Sequence, residues 1–253
     1  MRQTVFRGQG ELFLKVVDLI EEGEEVTPPQ GVVYSTHPRR TLAQDGHVYF
    51  VKGPDLNVVV AEVVSHLLAQ QIELQVPEFA LAKSGSTAGF LFASREVQGF
   101  RAVDSWLAAG KVRNPTLVQL MHLFDVLVAN RDRNIGNLIG ETIRGQHSSE
   151  LRLVAIDFEK AEALRGNYPL TTVPTIPPGR LRPSGILGTL LQNDHTAAVQ
   201  FAAVERINRD DILGAFGKLE AVLGLEIEWK ENSAQLVAQR ARDIRRLLEE
   251  VWR

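Results

Sequence analysis

Cysteine is absent from the sequence, and so is any long apolar run. Without cysteine the chain can form no disulfide, no thiolate zinc site and no cysteine nucleophile. No segment approaches the roughly 18–20 apolar residues of a membrane span. Residues 1–7 also lack the apolar core and the small-residue cleavage site of a signal peptide. We therefore expect a cytoplasmic protein that does not contact a membrane.

An excess of charge of either sign is missing as well. The chain has 28 lysines and arginines against 31 aspartates and glutamates, which gives a formal net charge of -3. Proteins that bind nucleic acid usually carry a basic excess, so no direct nucleic-acid partner is expected. The 253 residues, 44% of them hydrophobic, are enough for one large domain or two small lobes that share a cleft.

The first part of the chain has the pattern of a small sheet with one helix. Residues 46–52, 79–83 and 90–94 are rich in β-branched and aromatic side chains, which predicts three strands. Asn57 precedes apolar residues at helical spacing, so it predicts a capped helix between the first two strands. Residues 11–22 predict a further short amphipathic helix.

The middle of the chain predicts a helix followed by a β-hairpin. Asn114 and Pro115 are a strong helix-start signal, and apolar residues keep helical spacing to about residue 129. Two apolar runs, residues 137–139 and 151–157, then flank a polar stretch. This arrangement is typical of two paired strands joined by a loop.

The last part of the chain is expected to be helical. Residues 195–224 and 233–252 have helical patterns, and Ser233 is a plausible cap for the second of them. Arg240 and the other arginines of that segment stand beside glutamates, which favours a solvated face.

The residues that carry chemistry lie around the hairpin. Asp132 follows the predicted helix, Asn137 comes five residues later, and Asp157 ends the returning strand. Cross-strand neighbours lie about 5 Å apart, so we expect Asn137 and Asp157 at the open end of the hairpin. An amide oxygen and a carboxylate can hold a hard cation such as Mg²⁺ there. Asp132 would stand close by, where it could accept a proton from a hydroxyl.

Phosphoryl transfer also needs a lysine that contacts phosphates and an acid that holds this lysine. Lys52 ends a predicted strand, and Glu62 lies on the helix that follows it. Each requirement of a kinase therefore has a candidate, in the expected order along the chain.

At these positions the sequence resembles HipA-like kinases and, more distantly, the phosphatidylinositol 3-/4-kinase-like branch of the protein-kinase fold. The likeness rests on Gly46–Lys52, on Ala61-Glu62 through Pro77, and on the Asp132 and Asp157 segments, and it covers roughly residues 30–160. It implies an α+β, two-lobed fold. The β-rich N-lobe would comprise residues 1–98 and the mostly helical C-lobe residues 99–253.

The resemblance implies a role for each candidate in turn. Lys52 would contact the phosphates of ATP, and Glu62 would pair with Lys52. Asp132 would be the catalytic base, and Asn137 and Asp157 would be Mg²⁺ ligands. ATP and Mg²⁺ are thus the expected substrate and metal.

Two further segments would complete the nucleotide site. Residues 90–96 would be the hinge that holds adenine through backbone groups, and the loop 35–41 would cover the phosphates. The residues expected to contact ATP are Phe92, Ser94 and Glu96 of the hinge, and Ser35, Thr36 and Arg39 of the loop. The loop lacks the glycines of an ordinary protein kinase, and Asn134 stands where the family often has histidine. Hydroxyls in the loop, including Thr41, could be autophosphorylation sites.

The function predicted is transfer of the γ-phosphate of ATP to a hydroxyl, most simply a serine or threonine of a protein. A small-molecule or lipid kinase on the same fold is the first alternative. The second is a nucleotide-binding pseudokinase module in a toxin–antitoxin-like complex with an operon-encoded partner. The loop without glycine favours that module, and the retained Asp132, Asn137 and Asp157 argue against it. Taken singly, aspartates and asparagines are common in turns and caps.

Overall fold

The structure is a computed structural model. It describes residues 14–20, 23–26, 38–97, 103–112, 114, 116–142, 151–166, 181–183, 187–188, 191 and 198–253. The strands are β1 (Val16–Asp18), β2 (Glu24–Glu25), β3 (Arg39–Leu42), β4 (Val48–Lys52), β5 (Phe79–Lys83), β6 (Leu91–Arg95), β7 (Leu138–Thr142) and β8 (Leu151–Ala155). The helices are α1 (Leu56–Gln71), α2 (Asp104–Ala108), α3 (Thr116–Val128), α4 (Ala198–Glu205), α5 (Arg209–Leu223), α6 (Lys230–Arg242) and α7 (Ile244–Trp252).

Six strands form one sheet in the order β1-β5-β6-β4-β3-β2. Neighbouring strands in this sheet are antiparallel, except that β1 and β5 are parallel to each other. Beyond β1, the Ile20 N–H donates to the Leu42 carbonyl at 3.0 Å, and Leu19 pairs with Ala43. The sheet therefore curls until its first strand meets the end of β3, and it encloses a small core. That core consists of Val17, Ala43, Tyr49, Val51, Ala80, Ala82, Leu91 and Ala93.

The predicted helix over residues 11–22 is wrong where the structure describes it. Residues 16–18 form β1, in which Val17 is buried between two exposed neighbours. Val16 pairs with Leu81 in β5. The backbone N–H and C=O groups of this segment therefore form hydrogen bonds within the sheet, whereas in a helix they would bond within the segment itself. Residues 11–13, 21 and 22 lie outside the described residues.

Helix α1 begins two residues before its first buried residue, Val58, and its cap is Asp55 rather than Asn57. The Asp55 carboxylate accepts the Asn57 N–H at 2.9 Å, as an N-cap side chain does. The Asn57 carboxamide instead accepts the N–H of Gly166 at 2.9 Å. The helix is buried on all sides from Val58 to Ala69, because it lies between β6 and α5.

The predicted helix and hairpin in the middle of the chain are confirmed. Helix α3 is buried along most of its length, and β7 pairs with β8 from Leu138 opposite Ala155 to Thr142 opposite Leu151. Asn114, just before α3, connects this helix to β8. Its side-chain nitrogen donates to the Leu153 carbonyl at 3.1 Å, and its side-chain oxygen accepts the Leu153 N–H at 2.8 Å.

The two long C-terminal helices of the prediction are each broken in two. Residues 198–223 form α4 and α5, and Asn208 caps α5 with a capping box that includes Asp211. Residues 230–252 form α6 and α7, and Ser233 is buried inside α6 instead of capping it.

Arg240 is the clearest departure from the expected solvated face. It is only 7% exposed, and its Nε donates to the carbonyls of Val126 at 3.1 Å and Leu127 at 2.9 Å. These carbonyls belong to the last turn of α3, where helix carbonyls lack partners within the helix. A buried guanidinium can satisfy them, and that places Arg240 in the interior.

A large apolar cluster joins the sheet to the helices. It runs from Leu14 and Leu81 on the sheet side, through α1, to Val251 in the last helix. The α+β prediction is confirmed by this arrangement of a small sheet and a helical part around one core. None of the helices in the described part of the chain has the length and hydropathy that a membrane span requires.

Candidate active site

Lys52 stands at the centre of a group of acids. Its Nζ lies 2.7 Å from Glu62 Oε1, 2.7 Å from Asp157 Oδ1 and 3.4 Å from Glu159 Oε2. Burial alone would lower the pKa of Lys52, but the charges of Asp157, Glu62 and Glu159 outweigh it and raise that pKa above its ordinary value. The lysine is therefore charged, and its position is set by α1 and by the segment that follows β8.

Gly53 turns the chain immediately after Lys52. Its φ of +120° lies in a region that side chains rarely adopt. A Cβ there would also meet Leu91 Cδ2 at 3.3 Å. The turn leads into α1, which brings Glu62 back beside Lys52.

Glu62 connects α1 to the segment that follows β8. It is fully buried, and its second carboxylate oxygen accepts the Phe158 N–H at 3.1 Å. Burial raises the pKa of Glu62, and the Lys52 ammonium opposes that rise. The carboxylate thus holds both the lysine and the backbone next to Asp157.

Asp157 lies two residues after the end of β8, with a backbone φ of +65°. This left-handed conformation is uncommon for residues other than glycine and is often found at functional sites. Burial would raise the pKa of Asp157, but the ammonium of Lys52 outweighs it and the pKa is lowered. The side chain is 29% exposed, so its carboxylate is reachable from solvent.

Asp132 and Asn137 lie in the loop between α3 and β7. The Asn137 amide donates to the Asp132 backbone carbonyl at 3.2 Å, which closes the loop on itself. Asn134 starts a 3₁₀ turn by accepting the Gly136 N–H at 2.8 Å. Asp132 is exposed, and its pKa is raised by partial burial and by the charges of Asp157 and Glu159.

A cluster of three polar residues packs against the buried side of this loop. It consists of Asp125, Asn130 and Arg133, which we call the Arg133 network. The Arg133 guanidinium forms a two-pronged ion pair with Asp125, with Nε to Oδ2 at 2.7 Å and Nη2 to Oδ1 at 2.8 Å. Burial raises the pKa of Asp125, and Arg133 opposes that rise. The carboxyl and the guanidinium are both buried, so each is the main electrostatic partner of the other.

Sequence reasoning missed Glu159 and the Arg133 network. Glu159 is 1% exposed, yet its carboxylate reaches Lys52. The available signal for Asp125 was an acid set between Phe124 and Val126 inside an apolar helix. A buried acid usually has a charged partner, and that rule could have identified Asp125 as a paired residue.

The residues present fit a divalent cation. Carboxylate oxygens of Glu62, Asp157 and Glu159 all lie within 4.8 Å of one another. The three carboxyl groups outnumber the one ammonium in this small space, and hard oxygen donors suit Mg²⁺. The Asn137 side-chain nitrogen bonds to the Asp132 carbonyl, which leaves the amide oxygen as the atom that could hold a metal.

The predicted hinge residues are engaged in other contacts. Both edges of β6 are paired, to β4 and to β5, so the backbone groups of Phe92 and Ser94 are already used by the sheet. The Glu96 N–H donates to the Val48 carbonyl at 2.9 Å, and its carboxylate pairs with Arg40 Nε at 2.8 Å. The expectation that Phe92 and Ser94 hold adenine through backbone groups is therefore corrected.

Only part of the predicted phosphate loop, from residue 38 onwards, belongs to the described residues. Ser35 and Thr36 lie outside the described residues. Arg39 belongs to β3, where it pairs with Val51, and so it is part of a strand and not of a loop. Thr41 is 2% exposed in the same strand, which is incompatible with its use as an exposed phosphorylation site.

A small curled sheet, a helical part and a lysine–glutamate pair between them define a protein-kinase-like protein. Residues 30–163 match the HipA-like kinase family, which is more than half of the chain. The chain therefore belongs to the HipA-like kinase family.

Two solved structures are similar to this chain at low sequence identity. One is HipA of the Shewanella oneidensis toxin–antitoxin system, solved in complex with HipB and its operator DNA: TM-score 0.52, 11% identity, with 90% of this chain and 68% of that chain covered. The other is the Helicobacter pylori proinflammatory kinase CtkA: TM-score 0.43, 13% identity, with 93% and 96% covered. Among curated proteins, no match by sequence was found.

Proposed function

We propose that this protein transfers the γ-phosphate of ATP, with Mg²⁺, to a serine or threonine hydroxyl of a protein. The observation that carries the proposal is the Lys52 ammonium, held 2.7 Å from both Glu62 and Asp157. A partly buried lysine that is fixed by a helix acid and adjoins an acidic cluster is the arrangement that phosphoryl transfer requires.

Each side chain then has one task. Lys52 binds phosphate oxygens, and Glu62 keeps the ammonium in place. Asn137 and Asp157 hold the metal, which when bound neutralises charge on the phosphates. Asp132 is exposed and accepts the proton of the acceptor hydroxyl as that hydroxyl attacks.

We further propose that the two lobes meet near residue 98, with the nucleotide between the sheet and the α3–β7–β8 unit. The adenine ring then meets the chain after Glu96, because the strand before it has no free edge. HipA of Shewanella oneidensis was solved together with HipB. A partner protein encoded beside this chain is the corresponding proposal here.

The test is transfer from γ-labelled ATP with Mg²⁺, first with the protein alone and then with a cell extract. Asp132→Asn keeps the size of the side chain but removes its ability to take a proton, and should reduce transfer by about 100-fold or more. Asp210→Asn is the matched control, since Asp210 is an exposed aspartate at the start of α5. The control should transfer phosphate like the wild type.

Label on protein that disappears in Asp132→Asn supports a protein kinase. If ATP and Mg²⁺ bind but no protein is labelled, a metabolite panel should show whether the acceptor is a small molecule. Binding without any transfer would identify the pseudokinase module. Absence of ATP binding would contradict the proposed function altogether.

A further inference from the structure

We propose that Arg133 is a positioning residue, which holds the loop 130–137 against the end of β8 so that the proposed base and metal ligands face one another. The kinetic part of this inference rests on the proposed function. The structural part rests on the contacts of one buried guanidinium.

The Arg133 guanidinium bonds directly to both sides of the site. Its Nη1 donates to the Asn137 carbonyl at 2.9 Å and to the Ile156 carbonyl at 2.6 Å. The first carbonyl belongs to a proposed metal ligand, and the second belongs to the residue before Asp157. One planar group therefore fixes the distance between the two segments that supply the metal ligands.

Asp125 and Asn130 hold the guanidinium and extend its reach. The Asp125 carboxylate accepts two hydrogen bonds from the other edge of the guanidinium, one from Nε and one from Nη2. The Asn130 amide donates to Asp125 Oδ1 at 2.9 Å and to the Asp157 carbonyl at 3.3 Å. Its oxygen accepts the Asp132 N–H at 3.4 Å. The network thus contacts the backbone of the proposed base as well.

Arg133 acts through these neighbours and does not meet substrate itself. Its side chain is 1% exposed and that of Asp125 is 0% exposed. The guanidinium also lies over the Phe158 ring, with its carbon 5.0 Å from the ring centre. Because it is enclosed on its edges and on a face, small displacements of the loop would break several of its hydrogen bonds together.

The shape of the group matters as much as its charge. Arginine presents five N–H donors in a rigid plane, whereas lysine presents three on a single rotating ammonium. Lysine at position 133 would keep the charge beside Asp125 but could not satisfy the carboxylate and both carbonyls in one plane. Arg133→Lys therefore separates positioning from simple charge neutralisation.

Arg240→Lys provides the matched control. Arg240 is also buried, and it also bonds to backbone carbonyls in the helical part of the molecule, at Val126 and Leu127. Those carbonyls lie inside α3 and not in the loop or at the end of β8. Both variants should lose stability, but only Arg133→Lys should disturb the site.

For Arg133→Lys we expect kcat to fall by roughly 10–100-fold and the Mg²⁺ concentration for half-maximal rate to rise by about tenfold, as for other groups that orient metal ligands. The KM for ATP should change by less than about threefold, since the Lys52–Glu62 pair is untouched. Arg240→Lys should keep the wild-type Mg²⁺ dependence. Losses in Arg133→Lys that only follow its folded fraction would overturn the proposal.

Hydrogen exchange without nucleotide gives a readout that needs no activity. Amides in residues 130–137 and 155–158 should exchange at least about tenfold faster in Arg133→Lys than in Arg240→Lys, because local opening is easier there. Equal exchange in the two variants would contradict the positioning role. A wild type without ATP binding would contradict the kinase function instead, and the exchange result would still decide the role of Arg133.

Discussion

His66 is neutral over most of the pH range, because it is buried behind the Lys52–Glu62 pair. Its Nδ1 lies 2.8 Å from the Glu62 carbonyl, and its ring packs against Phe79, Phe92 and Phe158 at 4.9–5.3 Å between centres. Its Nε2 has no hydrogen-bond partner among the described residues. Protonation would place a charge in this apolar space.

Burial lowers the pKa of His66 from 6.5 to about 4. The nearby charges act in both directions: Lys52 and Arg133 lower the pKa further, whereas Asp157 and the Glu62 carboxylate, 3.7 Å from Nδ1, favour the imidazolium. In the unfolded chain the imidazole takes up its proton near pH 6.5. Stability is therefore fully present above that pH and is lost as the pH falls towards 4.

We predict that His66→Phe removes this acid sensitivity. Between pH 7 and pH 4 the wild type should lose about 3 kcal/mol of unfolding free energy through His66, a loss that the variant does not share. Urea unfolding at a series of pH values measures the difference. Phe79→Leu alters the same packing without removing a titrating group, so it should keep the wild-type pH slope. Parallel slopes for wild type and His66→Phe would show that the histidine is protonated in the folded state.

Helix α1 shows how one element serves both parts of the molecule. Glu62 on this helix contacts Lys52 in β4 and the Phe158 N–H after β8. Asn57 at its start binds the Gly166 N–H, and a Cβ on Gly166 would meet the Trp229 ring at 2.7 Å. The helix is thus held at its first turn and at its middle by segments of the helical part.

We predict that the N-cap of α1 contributes stability but not activity. Asp55→Ala should lower the unfolding free energy by about 1 kcal/mol, because one N–H of the first turn loses its acceptor. ATP affinity should not change, since Glu62 lies two turns further along and is held by its own contacts.

Asn208→Ala, at the cap of α5, is the matched control for the loss of a helix cap. Scanning calorimetry measures the stability of each variant, and titration with ATP measures its ATP affinity. A marked fall in ATP affinity for Asp55→Ala but not for Asn208→Ala would mean that the cap fixes the position of Glu62.

In the described part of the chain, one large apolar cluster spans the sheet and the helices, beside the small core that the sheet encloses. The apolar cluster includes Leu81 and Phe92 of the sheet and continues through α1 into the C-terminal helices. Residues that share one close-packed core lose their contacts together. The sheet and the helical part should therefore unfold as one cooperative unit.

Leu81→Ala tests this cooperativity. The cavity should cost roughly 2–5 kcal/mol, as for other buried leucines. All three tryptophans, Trp106, Trp229 and Trp252, lie outside the sheet, so their fluorescence reports the helical part. We expect the fluorescence transition to shift by the same amount as the transition seen by far-UV circular dichroism. A fluorescence transition that stays at its wild-type midpoint would show that the two lobes unfold independently.

Near-neighbour patterns in the sequence predicted several of the strands and helices and the order of the candidate residues. The β-branched and aromatic residues of Val48–Lys52 and the helical spacing after Thr116 depend only on near neighbours, and the strand and the helix both appear as predicted. The kinase-like order of Lys52, Glu62 and Asp157 could also be recognised along the chain, because phosphoryl transfer restricts the residue types that can bind phosphate or a metal ion.

Tertiary structure alone decided how those residues meet. Lys52 and Asp157 are 105 positions apart, and Arg240 bonds to a helix end 113 positions before it. No local pattern encodes contacts of that separation. The strand at Val16–Asp18 was missed for the same reason, because β5 supplies the sheet edge that it would lack by itself. The Arg133–Asp125 pair spans only eight positions, and its burial is what the sequence pattern did not predict.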